Sequence, residues 1–325
     1  MLMYEIESFN KGKSKKIIIL IIIIAIIAIS IAILGGIKFA EHVAKQKELE
    51  QNNQEQSNII EGNITNDRKE EKPNTIGNHK SEENNSNATN NNEQSEGENH
   101  SQNNNKLTKA QLSAIENIYN SDEKRAFLSF DDGPSNTVTP KILDILEEEN
   151  IKATFFVLGT MVKSNPEILK REKEEGHYIA NHGYSHVYSK IYANENETLE
   201  EYNKTNKLIQ EALGDSGYQS NVFRFPGGSV GGYYDKTKTK AKKKLQENGI
   251  AYLDWNCLTN DSDGADTKEA IMKNLKATCK GKDSIVVLMH DAPNKDLTAE
   301  TLPDVISYLR EQGYSFKNLY DILSL

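Results

Sequence analysis

Short apolar runs alternate with amphipathic segments between residues 125 and 316. Seven of these runs are rich in β-branched and aromatic residues, a composition that favours strands. They occupy residues 125–130, 153–158, 178–180, 222–225, 251–255, 284–289 and 314–316. Thr139 and Asn165 each precede a proline, which is typical of an N-cap followed by the first helical position, and Gly214 marks a helix end. Repeated strand–helix units predict an α/β fold with a parallel sheet, and this number of strands favours a small, incomplete barrel.

The amino-terminal part of the chain has a different pattern. Residues 17–34 are apolar except for Ser30, and with three further residues they reach the roughly 20 residues that a membrane-spanning helix needs. Four lysines precede this run, so the positive-inside rule places residues 1–16 in the cytoplasm and the rest outside. A cleaved signal peptide is the alternative, but the run is long and no small-x-small site follows it. The sequence predicts a single-pass signal anchor at residues 17–37, with the remaining chain facing the cell wall.

Residues 38–105 are dominated by Asn, Glu, Gln, Ser and Lys. Such a composition cannot bury enough apolar surface to offset the entropy of ordering, so this segment is predicted to be a disordered linker. As a flexible coil its ends would lie on the order of 40 to 50 Å apart, which would carry a domain into the inner cell wall. Residues 106–325 are long enough for one domain with a full core. The net charge of −9 without a basic patch argues against a nucleic acid partner, and nothing indicates an obligate protein partner.

Chemically capable side chains lie at or just after the carboxyl ends of five of the predicted strands. They are Asp131 and Asp132 after the first strand, His182 and His186 after the third, Arg224 in the fourth, Trp255 and Asp261 after the fifth, and His290 and Asp291 after the sixth. In a parallel barrel the carboxyl ends of the strands form one face, so these side chains should converge. Adjacent carboxylates repel each other unless a cation or a proton lies between them. A solvated Asp-Gly turn is the alternative for Asp131 and Asp132 alone, and the convergence argues against it.

His182 and His186 lie four residues apart, which would place both imidazoles on one side of a helical turn, able to hold one ion. Taken alone, the pair is as well explained by two solvated surface histidines. With one aspartate as third ligand, the set becomes two imidazoles and one carboxylate with positions open for water and substrate. That set suits catalytic zinc and also iron(II), so the residues alone do not fix the metal.

Four motifs occur in order along the domain: SFDDGP at 129–134, HGYSH at 182–186, RFPGG at 224–228 and LMH at 288–290. Together they resemble the motif series of the polysaccharide deacetylases, carbohydrate esterase family 4. The resemblance implies a distorted (β/α)7 barrel and metal-dependent removal of N-acetyl groups from amino sugars. The roles that it implies are general base for Asp131, metal ligand for Asp132, His182 and His186, orientation of Asp131 for Arg224, and general acid for His290.

Amide hydrolysis needs a nucleophilic water, a stabilised oxyanion and a proton for the leaving amine. A divalent cation lowers the pKa of water and polarises the carbonyl; zinc is the favoured ion, with Co²⁺, Ni²⁺, Mn²⁺ or Fe²⁺ as alternatives. Asp131 is placed to take the proton of the water, and Arg224 and the cation should hold its pKa low. The backbone N–H of Gly227, after Pro226, can serve the oxyanion. Outside this context, His290 would be interpreted as a core histidine and Arg224 as a surface charge.

The chain departs from the family pattern in two motifs. Much of the family has tyrosine where this chain has Gly227, a change that keeps the backbone donor and removes an aromatic wall. Family members often support the catalytic histidine with an Asp-Trp pair; here Asp254 lies within the strand run, so Asp261 in the following loop is better placed to support His290. Trp255 is predicted to be an apolar wall, with plain core packing as an equal alternative.

Two further expectations concern the cysteines and the substrate. Cys257 and Cys279 could form a disulfide or remain two buried thiols. The anchor and the Asn-rich linker resemble a Gram-positive envelope protein, which makes peptidoglycan glycan strands the expected partner, and lowered acetylation should blunt lysozyme. Asp131 and Asp132 together resemble the branch that acts on N-acetylglucosamine more than the muramic acid deacetylases, in which the second Asp is commonly Asn. The alternatives are chitooligosaccharide, poly-N-acetylglucosamine exopolysaccharide, acetylxylan, or a non-catalytic wall-binding barrel.

Overall fold

A computed structural model describes residues 106–324. The predicted cytoplasmic tail, signal anchor and linker, residues 1–105, lie outside the described residues. Within 106–324, no helix combines the length and the apolar character that a membrane crossing requires.

The described residues contain eight strands, including all seven that the apolar runs predict. They are β1 (Arg125–Asp131), β2 (Thr154–Val157), β3 (Tyr178–Asn181), β4 (Val222–Phe223), β5 (Ala251–Tyr252), β6 (Cys257–Leu258), β7 (Ser284–His290) and β8 (Ser315–Lys317). The additional strand is β6, whose two residues are too few to produce an alternating pattern. The run at 251–255 was predicted as one strand, but its strand part ends at Tyr252.

Ten α-helices separate and flank these strands. They are α1 (Lys109–Glu116), α2 (Thr139–Glu148), α3 (Gly159–Ser164), α4 (Pro166–Glu174), α5 (Tyr188–Ile191), α6 (Glu195–Leu213), α7 (Asp235–Glu247), α8 (Lys268–Cys279), α9 (Asp296–Glu311) and α10 (Leu319–Leu323).

The helix ends follow the predicted punctuation in two cases and depart from it in one. Asn165 is the N-cap of α4, and Gly214 ends α6 in the left-handed conformation with φ 65°. Thr139 is not the N-cap of α2, because it is already the first helical residue. The hydroxyl of Ser135 accepts hydrogen bonds from the N–H groups of Val138 and Thr139, so the cap comes from farther upstream than the sequence pattern suggests.

All strand pairs are parallel, and the strand order is β5-β4-β3-β2-β1-β7-β6. β8 pairs with the amino-terminal half of β1, whereas β2 pairs with its carboxyl-terminal half. The edge strands β5 and β6 are consecutive in the chain, and residues 253–256 connect them across the opening. The N–H of Leu253 donates to the Phe223 carbonyl, and the N–H of Asn256 donates to the Val286 carbonyl. The sheet is therefore a curled, incomplete barrel, which confirms the predicted fold class.

Side chains alternate between two apolar clusters along each central strand. Leu128 and Phe130 of β1 belong to a cluster shared with the surrounding helices, whereas Phe127 belongs to a second cluster on the opposite face of the sheet. Strand side chains of that second cluster occur at residues 127, 156, 178, 180, 222, 251 and 286. The same two-residue alternation reaches Asp131 and His290, the last residues of β1 and β7, and His182 and Arg224, one position beyond β3 and β4. The pleat therefore directs these four side chains to the same face.

The buried face of α4 contains one carboxylate, Glu172, for which the sequence predicts no catalytic or metal-binding role. Glu172 is fully buried beside Leu169, and neither carboxylate oxygen has a hydrogen-bond partner within the described structure. Burial raises the pKa of Glu172 well above its usual range, and the nearby carboxyls of Asp291 and Glu175 raise it further. An acid with a raised pKa in the folded state destabilises the fold at pH values above its unfolded pKa, because only the unfolded chain ionises freely.

We expect Glu172→Leu to raise the melting temperature at pH 7. Each kcal/mol gained should add about 2 to 4 °C for a domain of this size. The gain should shrink as the pH falls towards about 4.3, where the unfolded glutamate also becomes protonated. Differential scanning calorimetry at pH 7 and pH 4 measures both effects, with the exposed Glu174→Leu as control. An unchanged melting temperature at pH 7 would contradict the prediction.

Candidate active site

The end of β1 presents two aspartates in different settings. Asp131 is buried, whereas Asp132 is partly exposed and adopts a left-handed backbone with φ 77°. That conformation is uncommon for a residue with a side chain and is often retained at functional sites. The glycine that follows is required by packing, because a Cβ at Gly133 would lie 2.0 Å from a carboxylate oxygen of Asp291.

Asp132, His182 and His186 each contribute one ligand atom to a cluster in which these atoms all lie within 4.8 Å of one another. The distance from the Asp132 Oδ1 to the Nε2 atom of each histidine is 3.6 Å. The predicted helical turn is wrong, because residues 182–187 form a loop in which His186 has φ 55°. The Glu201 carboxylate of α6 holds this loop by accepting hydrogen bonds from the N–H groups of Tyr184 and Ser185.

The three residues fit a divalent cation. The Nδ1 of His182 lies 2.8 Å from the Arg224 carbonyl, to which it donates, so its Nε2 keeps a free electron pair directed at the cluster. Burial lowers the pKa of His182 to about 3, which keeps the imidazole neutral as a ligand must be. The Oδ1 of Asp132 is buried and has no hydrogen-bond partner among the described residues. A bound cation would satisfy that oxygen.

Arg224 holds Asp131 from the barrel interior. The guanidinium is fully buried, and its Nη1 donates to the Asp131 Oδ1 at 2.7 Å and to the Ser129 hydroxyl at 2.8 Å. Its other nitrogens donate to the carbonyls of Leu253 and Asp254, in the segment that crosses the barrel opening. Arg224 is therefore not a surface charge; its fork of donors fixes the position of the carboxylate.

The second oxygen of Asp131 faces the ligand cluster, with its Oδ2 3.7 Å from the His182 Nε2. Burial raises the pKa of Asp131, and the charge and hydrogen bond of Arg224 lower it only in part. Arg224 and a cation together were expected to hold the pKa of Asp131 low. Without a cation the pKa of Asp131 is raised instead, because desolvation of a fully buried carboxylate outweighs one ion pair. A cation in the cluster would act in the same direction as Arg224.

His290 lies beside Asp131 on the neighbouring strand, since the two residues are register partners of β7 and β1. Its Nδ1 lies 2.9 Å from the Asp261 Oδ1, and its backbone N–H donates to the Asp261 Oδ2. Burial alone would lower the pKa of His290, but the charge and hydrogen bond of Asp261 raise it to about 9. The side-chain carboxylate of Asp254 instead accepts hydrogen bonds from the N–H and the hydroxyl of Ser229. Asp261 is therefore the carboxylate that contacts His290.

The loop after β4 contains the predicted oxyanion donor. The carbonyl of Pro226 accepts a hydrogen bond from the Tyr192 hydroxyl at 2.7 Å. In a trans peptide the N–H points opposite to the carbonyl, so the N–H of Gly227 is directed away from Tyr192. Trp255 is half-buried against the second apolar cluster, and its ring lies 3.4 Å from where a Cβ of Gly228 would be. It thus packs in the core and also borders this loop.

Comparison with known proteins adds to this geometry. Residues 118–250 match the family described as polysaccharide deacetylase. The chain is 32% identical over 205 residues to the peptidoglycan-N-acetylmuramic acid deacetylase PdaA of Bacillus subtilis, covering 63% of this chain and 73% of that protein. The chain belongs to the polysaccharide deacetylase family. It is also 35% identical over 199 residues to the peptidoglycan-N-acetylglucosamine deacetylase PgdA of Listeria monocytogenes, over 61% of this chain and 39% of that protein.

The fold of the chain is similar to that of a solved structure, a CE4 esterase of Streptococcus mutans. The TM-score is 0.57 at 31% identity, with 66% of this chain and 92% of the other covered. The match to PgdA spans about two fifths of that relative's length. The similarity therefore concerns one domain of that relative.

Three contacts of this candidate site escaped the sequence interpretation. Ser129 receives a hydrogen bond from Arg224, and strand alternation could have placed it on the same face as Asp131. Thr298 of α9 donates to the Asp261 Oδ2 at 2.7 Å, a tertiary contact that no local pattern signals. Tyr188 lies against the ring of His186, with ring centroids 5.6 Å apart.

Cys257 and Cys279 are both buried free thiols.

Proposed function

We propose that this chain hydrolyses the N-acetyl groups of N-acetylglucosamine residues in peptidoglycan and releases acetate. The observation that carries the proposal is that a carboxylate and an imidazole, each bonded to a residue of opposite charge, lie on neighbouring strands beside one cluster of metal ligands. Asp131 is supported by Arg224, and its register partner His290 is supported by Asp261. The relatives named as peptidoglycan deacetylases support peptidoglycan as the polymer on which the chain acts. The aspartate pair at 131–132 favours N-acetylglucosamine over N-acetylmuramic acid.

The residues of the chain divide the chemistry between them. A divalent cation held by Asp132, His182 and His186 would supply a more acidic water and a polarised carbonyl. The Asp131 Oδ2 accepts the proton of the attacking water, because its Oδ1 is occupied by Arg224. The Gly227 N–H donates to the oxygen that gains charge as the carbonyl carbon becomes tetrahedral.

His290 completes the reaction by protonating the amine that leaves. Its Nδ1 is bonded to Asp261, so the Nε2–H is the proton available to the nitrogen of the breaking C–N bond. A pKa of about 9 keeps the imidazolium populated at neutral pH. The products are acetate and a free amino group on the sugar.

The proposal is tested by incubating the zinc-loaded chain with purified peptidoglycan and measuring acetate. Fragmentation mass spectrometry of the digested muropeptides then locates the lost acetyl group. We expect the loss on N-acetylglucosamine. Loss of acetyl groups from N-acetylmuramic acid would show that the proposed substrate is wrong. Release of acetate only from chitooligosaccharide, poly-N-acetylglucosamine or acetylxylan would show the same and would identify the substrate instead. A metal-loaded chain that binds wall but releases no acetate from any of them would favour the non-catalytic alternative.

The Asp261–His290 pair makes a separate prediction about pH. In Asp261→Asn the support for the imidazolium is lost, so the pKa of His290 should fall from about 9 towards or below its ordinary value of about 6.5. The basic limb of kcat/KM should then move to lower pH. At pH 8 the protonated fraction, and with it the rate, should fall by about 30-fold. Asp254→Asn is the matched control, because Asp254 bonds Ser229 rather than His290. An unmoved basic limb in Asp261→Asn contradicts the assignment.

We also propose that residues 17–37 anchor the chain in the cell membrane, with the deacetylase domain outside. The support is the apolar run and the lysines that precede it. Protease added to wall-stripped cells should remove the domain, and a protected domain would overturn the orientation. Loss of the protein should increase sensitivity to lysozyme.

A further inference from the structure

The loop that connects β4 to α7 exposes apolar surface next to the candidate site. Residues 224–234 form this connection at the carboxyl ends of the strands, and its outer part is residues 227–234. The large apolar side chains that the described structure leaves exposed both belong to it: Val230 is 67% exposed and Tyr233 is 93% exposed. A solvent-exposed aromatic ring beside a candidate active site is typical of a binding surface.

Tyr233 is the outer end of a row of aromatic rings that begins at a candidate metal ligand. The ring of His186 contacts Tyr188 at 5.6 Å between centroids, Tyr188 contacts Tyr234 at 6.5 Å, and Tyr234 contacts Tyr233 at 4.9 Å. We call Tyr188, Tyr234 and Tyr233 the tyrosine row. The buried Tyr192 supports it from behind, with ring contacts to Tyr188 and Tyr234. The row therefore leads from the site to solvent on a fixed base.

The inner end of the row borders the predicted oxyanion donor. The Tyr188 hydroxyl lies 2.5 Å from where a Cβ of Gly227 would be, so only glycine at this position leaves room for the tyrosine. The absence of a side chain at Gly227 was expected to remove an aromatic wall. The structure corrects that expectation, because Tyr188 of α5 occupies the same space from another part of the chain.

The loop that presents Tyr233 is pinned on both sides. Ser229 donates through its N–H and its hydroxyl to Asp254, and the N–H of Gly231 donates to Asp235 at 2.6 Å. A loop held at these points restricts the positions of the ring between them. Such preorganisation lowers the entropic cost of binding a ligand on that ring.

We propose that the glycan strand lies along the tyrosine row, with the reacting sugar beside Tyr188 and a neighbouring sugar unit on Tyr233. This inference rests on the proposed function and adds the direction in which the polymer leaves the site. A pyranose ring has an apolar face of C–H groups and a rim of hydroxyls. Tyrosine matches both, since its ring offers rigid apolar area and its phenol offers a hydrogen-bonding group. The polymer must extend beyond its reacting unit, and the row is continuous with the site.

The test compares Tyr233→Ala with the unaltered full chain on N-acetylglucosamine oligomers from dimer to hexamer. In the unaltered chain kcat/KM should rise with oligomer length. In Tyr233→Ala the value for the hexamer should fall about five- to tenfold, the usual contribution of one aromatic contact. Hydrolysis of an aryl acetate, which has no neighbouring sugar, should not change. Tyr233→Phe keeps the ring and should retain the rise with length.

Calorimetric binding of the hexamer in the presence of a chelator provides a readout that does not need turnover. The unaltered chain and Tyr233→Phe should bind it more tightly than Tyr233→Ala. Equal binding by all three chains, or no binding by any, overturns the inference. If the unaltered chain releases no acetate yet binding still depends on Tyr233, the glycan surface stands and the proposed function fails instead.

Discussion

Replacing His182 with alanine is expected to remove the bound divalent cation and abolish acetate release while the domain stays folded. His182 is the buried member of the ligand cluster, and its free Nε2 is fixed by the hydrogen bond from Nδ1 to the Arg224 carbonyl. Loss of a residue that hydrogen-bonds to a metal ligand lowers metal affinity or activity roughly 10- to 100-fold. Loss of the ligand itself should lower them more. Elemental analysis of the purified variant measures the metal, and chelation of the unaltered chain should reproduce the loss until zinc or cobalt is added back.

His177→Asn is a suitable control for this variant. His177 is also buried, but it lies just before β3, at the opposite end of that strand from His182, and its Nδ1 accepts from the Ala153 N–H. Asparagine can offer an oxygen in place of that acceptor, so the control should keep its metal. A His182→Ala chain that still holds one ion per molecule would show that the ligand assignment is wrong.

The sequence was sufficient to predict which strand ends would converge. Alternation along β1, β3, β4 and β7 determines the face on which each side chain lies. It includes Asp131 and His290 at the ends of β1 and β7, and it extends one position beyond β3 and β4 to His182 and Arg224. Because a parallel sheet brings these ends to one edge, local periodicity was enough to assemble most of the site.

The details that sequence did not predict depend on contacts between distant segments. The loop at 182–187 replaces the expected helical turn because Glu201 of the following long helix accepts its N–H groups. The left-handed backbones of Asp132 and His186 cost on the order of 1 to 3 kcal/mol each, so they persist only where such contacts hold them. The aromatic wall at Gly227 is supplied by Tyr188, almost forty positions earlier.

The acid and base assignments give the second large prediction. Asp131→Asn and His290→Ala should each lower kcat by roughly 10²- to 10⁴-fold, the usual contribution of a positioned acid or base. Metal content should persist in both, since neither residue belongs to the ligand cluster. Asparagine can still accept from Arg224, but the buried guanidinium loses its counter-charge, so Asp131→Asn should also melt at a lower temperature. Rates must therefore be measured well below that temperature.

The two variants should differ in how pH and the leaving group affect them. Without Asp131 the acidic limb of the rate profile should flatten, because no carboxylate has to be deprotonated. Without His290 the basic limb should flatten, because that limb reports loss of the imidazolium near pH 9. An aryl acetate releases a weakly basic leaving group that needs little protonation, so it should restore activity to His290→Ala far more than to Asp131→Asn. Equal restoration in both variants would refute the division of roles, because it would mean that neither side chain acts specifically on the departing amine.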